Sequence, residues 1–369
     1  KPTTMFYNCQ IHTFKDSDVP RKSLPLGLVR ILATKRGFRI FSRILNNLNP
    51  FSSKDIFDRY VKFVKIGKLG SQEKIFEECM KYYPDDTQFA ILPMDMAFMG
   101  AGKVPRDYEE QIKELADLKT KYPQIIPFIH IDPRRPGFMD LLKRSIGEWG
   151  FEGVKIYPPL GYFPYDEDLY PVYEYCVKQD IPVLSHCSPY NPVHFKGSKK
   201  ELSRLLSKSK NYVDFEGKSK KELCSNFTNP KNWEYVMNEF KDLRICLAHF
   251  GSSYFWAKYI EDPDEPENWF VIIKDMLGKY ENLYADISFT LHEQEYFPLL
   301  KVLLADPVLR KKILFGSDYY MVETEATERR FGLDLRAFIG EENFKTIAVD
   351  NPKVYFKSKH KVKSKEPVQ

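Results

Sequence analysis

Eight short β-rich runs recur along the chain, and each is followed by a stretch with helical character. Parallel strands need long crossover connections, which helices usually provide, so this alternation favours a parallel sheet. Eight such units match a (β/α)8 barrel, although an open doubly wound sheet would give the same alternation. The predicted strands are Phe6–His12, Phe89–Asp95, Ile125–Ile131, Gly153–Tyr157, Pro182–His186, Arg244–His249, Asn282–Ile287 and Lys312–Ser317.

The segments between these runs predict one large domain with two insertions. Residues 105–122 carry apolar side chains on one helical stripe, as an outer barrel helix requires. The stretches 15–86, after the first strand, and 188–230, after the fifth, interrupt the alternation. They follow strands, on the side where βα-loops build the active site, so we expect a lid and a substrate-specific wall there. We predict a single barrel domain over residues 1–356 and a basic, mobile tail over 357–369.

Composition agrees with a folded protein whose cysteines are reduced. Hydrophobic residues make up 43% of the 369 residues and supply a sizeable core. The six cysteines are scattered and form no CxxC pair, which argues against a structural zinc module. The net charge of +5 comes largely from two lysine-rich segments without aromatic residues interleaved, so no nucleic-acid partner is expected.

Membrane insertion and secretion find no support in the sequence. The longest apolar runs, such as Ile125–Ile129, are far shorter than the roughly 18–20 residues of a membrane-spanning helix. The N-terminal residues show no signal-peptide pattern, which predicts a cytoplasmic location unless a presequence has been removed. A homodimer is compatible with these features.

Four predicted strands end in a histidine or an aspartate. In a barrel enzyme the catalytic side chains come from the C-terminal ends of strands, so these positions are informative. A single strand-end histidine is more often a hydrogen-bonded structural residue, but four such residues at four strand ends are hard to obtain by chance. Three imidazoles and a carboxylate are also ligands that Zn²⁺ prefers. The four are His12 in CQIHTF, His186 in PVLSHCS, His249 in ICLAHFG and Asp318 in ILFGSD.

These motifs resemble one branch of a known superfamily. PVLSHCS, LAHFG, NLYADIS and ILFGSD, with IDPRRPG at Ile131–Gly137 and the segment Phe151–Cys176, are similar to the amidohydrolase-2, or decarboxylase-like, family of the amidohydrolase superfamily. The resemblance covers roughly Phe89–Phe356 and part of the first strand. It implies a TIM barrel that binds one divalent metal ion, most simply Zn²⁺.

The resemblance also implies roles for individual residues. His12, His186 and Asp318 are expected to bind the metal ion. Asp318 would also take a proton from the attacking water, and His249 would act as the electrostatic or acid partner. Lys155 stands where binuclear relatives carry a carboxylated lysine, but a salt bridge or a contact to a substrate carboxylate is the simpler expectation. Asp286 is expected to support the barrel mouth.

The first strand departs from the family pattern. The family carries HxH there, whereas this chain reads Gln10-Ile11-His12, so an amide replaces one imidazole. Three hypotheses follow. A single ion could be held by His12, His186 and Asp318, with Gln10 as a weak fourth ligand or with water in its place, and Gln10 then beside the substrate or the metal ligands. The ion could instead lie nearer to His186 and His249, or metal and activity could both have been lost.

These residues are compatible with three classes of function. The first is hydrolysis of a C–N or C–O bond by metal-activated water, and decarboxylation or hydration would use the same site. The second is a catalytically degraded binding barrel, for which the replacement at Gln10 is the main argument. The third is a metal-free phosphate-binding barrel. The third fits poorly, because the sequence after the eighth strand offers only Gly316 for a glycine-rich turn.

Overall fold

The computed structural model is a closed ring of eight parallel strands in the order β1 to β8, and it describes residues 5–20, 22, 62–63 and 65–357. The predicted (β/α)8 barrel is confirmed. Much of the predicted insertion 15–86, and the tail from residue 358 onward, lie outside the described residues. The strands are β1 (Tyr7–Ile11), β2 (Gln88–Ile91), β3 (Ile125–His130), β4 (Gly153–Ile156), β5 (Val183–His186), β6 (Ile245–Ala248), β7 (Leu283–Asp286) and β8 (Ile313–Leu314).

Helices follow the strands and cover the outside of the ring, as right-handed parallel crossovers require. Their apolar stripes pack on the strands, and their exposed faces carry the charge. They are α1 (Gln72–Met80), α2 (Tyr108–Lys121), α3 (Phe138–Gly147), α4 (Tyr170–Gln179), α5 (Lys199–Leu206), α6 (Lys220–Cys224), α7 (Lys231–Glu239), α8 (Ser253–Glu261), α9 (Trp269–Lys279), α10 (Phe297–Ala305), α11 (Glu328–Ile339), α12 (Glu341–Lys345) and α13 (Asn351–Tyr355). None of the helices in the described ranges is long and apolar enough to cross a membrane.

The segment after β8 closes the barrel against β1. The amide of Cys9 donates to the carbonyl of Phe315 at 2.9 Å, and the amide of Asp318 donates to the carbonyl of Gln10 at 2.9 Å. These bonds carry the chain along β1 beyond the short strand β8. They therefore deliver Asp318 to the mouth of the barrel beside Gln10.

A packed layer of side chains fills the barrel below the mouth. It includes Cys9, Phe128, Leu184 and Cys246, all of them fully buried. Gly153 at the start of β4 makes room for this layer, because a Cβ atom built on it would lie 1.8 Å from the Phe128 ring. These side chains fill the barrel interior as a packed core, and the C-terminal ends of the strands form the mouth above it.

Replacing Gly153 with alanine should lower the free energy of unfolding by about 1–3 kcal/mol, the usual cost of overpacking a core. Phe128 must move, because the new methyl group has no free volume. Denaturant unfolding measures the change. Gly147→Ala at the end of α3 is the matched control, since no atom lies within 4 Å of the place its methyl group would occupy, and it should leave stability the same or raise it. Equal midpoints for both variants would contradict this packing.

Candidate active site

The structure brings the four strand-end residues together at the C-terminal mouth of the barrel. His12 follows β1, His186 ends β5, His249 follows β6 and Asp318 lies beyond β8. Each side chain is almost buried, with exposed fractions of 6% for His12, 8% for His186, 4% for His249 and 6% for Asp318. The remaining exposure marks a narrow opening to solvent above a largely desolvated site.

An irregularity in β1 places Gln10 and His12 in this group. Asn8 pairs with Phe89 and Ile11 pairs with Ile91, so β1 has an extra residue in this interval, as in a β-bulge. Bulges often redirect side chains next to active sites. Both Gln10 and His12 then reach Asp318.

His12 and Asp318 form the first close pair of the site. His12 Nδ1 lies 2.8 Å from the carbonyl oxygen of Leu92, which can only accept, so Nδ1 carries a hydrogen. In the neutral ring Nε2 is then a lone-pair atom, and it lies 3.1 Å from Asp318 Oδ1. Two acceptors at this distance require a proton or a metal cation between them.

His186 and His249 form a second pair of the same kind. His186 Nε2 donates to Asn191 Oδ1 at 2.6 Å, and the Asn191 amide is oriented by its own bond to the Ser188 carbonyl. His249 Nδ1 donates to the carbonyl of Ser288 at 2.9 Å. The remaining ring nitrogens, His186 Nδ1 and His249 Nε2, therefore carry lone pairs and face each other at 3.1 Å.

The Gln10 side chain links the two pairs. Its Nε2 atom donates to Asp318 Oδ1 at 3.0 Å and lies 3.4 Å from His249 Nε2. An amide nitrogen has two hydrogens, one for each of these acceptors. Gln10 therefore stands inside the site, between Asp318 and His249.

The donor atoms suit a divalent cation, whereas their present spacing is that of a hydrogen-bonded chain. Two ligands of one tetrahedral zinc ion, each at about 2.0–2.2 Å, lie about 3.3–3.6 Å apart, so the 3.1 Å within each pair is slightly shorter than that separation. In the part of the chain that the structure describes, no three His, Cys, Asp or Glu side chains surround one point as a complete metal shell. The chemistry of the donors fits a metal, and Gln10 keeps the two pairs apart.

Burial and neighbouring groups set the protonation of this site. Burial would raise the pKa of Asp318, but a hydrogen bond from His12 in its protonated form, the hydrogen bond from Gln10 and the charges of His249 and His12 outweigh it, and the pKa is lowered. Burial foremost, and then the charge of His249, hold the pKa of His186 well below its usual value. At neutral pH the site thus contains an ionised carboxylate and a neutral imidazole.

Asp286 positions His249 through the main chain. Its Oδ1 atom accepts from the amides of His249 and Ser288, both at 3.0 Å, and also from the Ser288 hydroxyl. The backbone of His249 has φ of 66° and that of Asp318 has φ of 64°, a left-handed conformation that costs energy for residues other than glycine. Such strain tends to persist where a functional side chain must be aimed, and here it occurs at both predicted catalytic positions.

Lys155 lies one layer below the histidines. On β4 it pairs with Leu184, the β5 residue that lies two positions before His186. Its side chain is completely buried. Burial foremost lowers its pKa from 10.5 to about 8. Tyr157, two residues further along the chain, packs against His186 with ring centroids 4.5 Å apart and forms part of the wall above Lys155.

A sequence model of the amidohydrolase family matches residues 77–357. The chain belongs to this amidohydrolase family. The matched residues include His186, His249 and Asp318 but not the first strand, and the match confirms the resemblance to amidohydrolase-2 proteins. Among curated protein sequences, none matches this amidohydrolase significantly.

Solved structures with the same fold are distant in sequence. An uncharacterised TIM-barrel protein from Bordetella bronchiseptica is 15% identical, with a TM-score of 0.55 over 95% of this chain and 98% of that one. The 5-carboxyvanillate decarboxylase of Novosphingobium aromaticivorans, complexed with manganese and a nitrobenzoic acid, is 13% identical, with a TM-score of 0.54 over 96% of both chains. An amidohydrolase II structure is 12% identical, with a TM-score of 0.53 over 96% and 99%. At this identity the likeness establishes the fold.

The hydrogen-bond partners of the histidines were not predicted from the sequence. Leu92, Asn191 and Ser288 orient the three rings, and each lies in a loop or at a strand end. Of these three partners, Asn191 could have been suspected from the sequence, because it is a polar residue in the segment SPYNP shortly after His186. A main-chain carbonyl such as that of Leu92 cannot be identified as a partner from the sequence, because every residue has one.

Proposed function

We propose that the protein is a metal-dependent hydrolase whose metal-activated water attacks a C–N or C–O bond of a small-molecule substrate. The observation that carries this proposal is the pair of facing lone-pair contacts, His12 with Asp318 and His186 with His249. Gln10 supplies hydrogens to Asp318 and His249, but each pair still needs a proton or the charge of a cation between its own two members, and protonating both pairs in a nearly dry site would be costly. A divalent cation supplies that charge directly.

His12, His186 and Asp318 are the proposed ligands, and Zn²⁺ is the proposed ion. His12 is prepared for this role, because the Leu92 carbonyl fixes its ring and tautomer, as is usual for metal-binding histidines. When bound, the ion would lower the pKa of a water molecule toward neutrality. All other tasks fall to side chains of the protein.

Asp318 is the proposed general base. Its carboxylate is ionised at neutral pH, and His12 and Gln10 hold its Oδ1 atom in a fixed position. His249 is the proposed electrostatic and acid partner. Because Nδ1 donates to the Ser288 carbonyl, His249 can give a proton only from Nε2, and only when the ring is doubly protonated.

Non-oxidative decarboxylation or hydration on the same residues is the second candidate. The decarboxylase-like strand-end motifs favour it, and the manganese-bound 5-carboxyvanillate decarboxylase shows that this fold supports such chemistry. A screen of amides, lactones and unsaturated or aromatic carboxylates with zinc-loaded and chelator-treated protein separates the candidates by product. If the protein binds neither zinc nor manganese and converts no substrate, the degraded binding barrel is the correct description.

Restoring the family histidine by Gln10→His should raise zinc affinity by about tenfold or more, the scale of effects seen when groups around a metal site are altered. An imidazole would replace an amide that now donates to Asp318 and separates the two acceptor pairs. Competition with a zinc-binding dye measures the dissociation constant. Gln179→His at the end of α4 controls for an added histidine far from the mouth. Unchanged affinity in Gln10→His would show that any zinc binds elsewhere.

A further inference from the structure

Two polar atoms of opposite type lack hydrogen bonds in the interior of the barrel. Among the described residues, neither Lys155 Nζ nor Gln10 Oε1 has a hydrogen-bond partner, and both side chains have an exposed fraction of 0%. A buried donor or acceptor without a partner typically costs about 1–3 kcal/mol, and a buried charge costs more. Atoms of this kind commonly mark a place where a ligand completes the bonding.

The carboxylates near Lys155 are already engaged. Asp286 accepts from two main-chain amides, from Ser288 and, at 3.7 Å, from Cys246 Sγ. Asp318 is held by His12 and Gln10. The negative charges of both act on Lys155 only from beyond hydrogen-bonding distance. Within the described residues the lysine therefore lacks a direct counter-ion, which a ligand anion would supply.

The orientation of the Gln10 amide is fixed by its neighbours. If its nitrogen and oxygen were exchanged, Oε1 would face Asp318 Oδ1 at 3.0 Å, and two acceptors would meet. Nε2 must therefore point to Asp318, which leaves Oε1 as a free acceptor in the same site. A ligand can satisfy it only with an O–H or N–H group.

We propose that Lys155 and Gln10 select a substrate that carries an anionic oxygen close to a hydroxyl or N–H group. Lys155 binds the anionic oxygen in the deepest part of the site, and Gln10 Oε1 accepts from the neighbouring donor. This inference rests on the proposed function, because it takes the barrel mouth as the place where substrate binds. It assigns Lys155 and Gln10 as specificity residues, in addition to the proposed catalytic group Asp318.

Three small probes separate the two contacts. Lactate has both a carboxylate and a hydroxyl group, lactamide lacks the charge, and 2-methoxypropanoate lacks the hydroxyl hydrogen. Calorimetric titration of the full chain, with zinc present throughout, gives the dissociation constant of each probe. The variants are Lys155→Met and Gln10→Met. Lys119→Met is the matched control, because Lys119 is paired with Glu152, just before β4, and with the carbonyl of Ile125, the first residue of β3, at the end of the strands away from the mouth.

We expect the parent protein and Lys119→Met to bind lactate about tenfold more tightly than lactamide, as one charge-assisted hydrogen bond allows. The preference for lactate over 2-methoxypropanoate should be about fivefold, as one neutral hydrogen bond allows. Lys155→Met should abolish the first preference and retain the second. Gln10→Met should do the reverse.

Equal binding of lactate and lactamide by the parent would overturn the inference, as would failure of lactate to bind at all. So would a charge preference that survives in Lys155→Met. Because these measurements need no turnover, they are independent of the proposed reaction. Selective lactate binding by a protein that takes up no zinc would contradict the proposed function alone, whereas zinc-dependent turnover without these preferences would contradict only the specificity assignment.

Discussion

Asp318→Asn should lower turnover of a substrate by about 10²–10⁴-fold while the fold is retained, the range that general acid–base groups contribute. Asparagine keeps the size of the side chain and one oxygen, so His12 and Gln10 retain a neighbour. It loses the basicity that the proposed proton transfer needs. The measurement is kcat with the best substrate from the screen, at pH 7 and at saturating zinc.

The effect should lie in kcat more than in substrate binding, because Asp318 acts on the water and contacts no proposed substrate anion. The matched control is Asp275→Asn on α9, whose side chain is 68% exposed and pairs with its neighbour Lys274; it should turn over at the parent rate. Circular dichroism and the thermal midpoint establish that Asp318→Asn is folded. Turnover at the parent rate in a folded, zinc-loaded Asp318→Asn protein would refute the mechanism and leave the fold unaffected.

The sequence was sufficient to predict the barrel because strand and helix patterns alternate locally. Every predicted strand is present, and the largest differences are at β2, predicted as Phe89–Asp95 and observed as Gln88–Ile91, and at β8, predicted as Lys312–Ser317 and observed as Ile313–Leu314. After β8 the chain no longer pairs regularly with β7. It runs beside β1 instead, held by the main-chain hydrogen bonds of the Cys9 and Asp318 amides. That closure joins residues about 300 positions apart, and no local pattern encodes it.

The sequence could predict which residues form the candidate site but not how they contact one another. Strand ends converge in any barrel, so His12, His186, His249 and Asp318 could be expected at one mouth. Their pairing could not be predicted, because it depends on which ring nitrogen carries the hydrogen. That choice is made by carbonyl and amide partners such as the Ser288 carbonyl and Asn191, which loops place in three dimensions.

The missing counter-ion of Lys155 should also be measurable as a loss of stability. Burial lowers its pKa from 10.5 to about 8, and a shift of this size corresponds to about 3 kcal/mol in the free energy of unfolding. Below pH 8 the lysine is charged in both states, so the folded protein carries the full cost. Between pH 8 and 10.5 the unfolded chain holds a proton that the folded protein has released. The free energy of unfolding therefore rises with pH across this window, and the cost has vanished above pH 10.5.

Lys155→Met removes this charge and keeps an unbranched side chain in the core layer. In chelator-treated protein we expect the variant to be more stable than the parent by about 3 kcal/mol at pH 7, with the difference shrinking from pH 8 and nearly absent at pH 10.5. Denaturant unfolding at several pH values measures it. Lys119→Met, which removes a paired lysine, should be unchanged or slightly destabilised at every pH. A stabilised Lys155→Met protein that no longer prefers lactate to lactamide would show that the chain keeps a costly buried charge in order to bind its ligand. A Lys155→Met protein less stable than the parent at pH 7 would mean that the lysine already has a counter-charge in the folded protein.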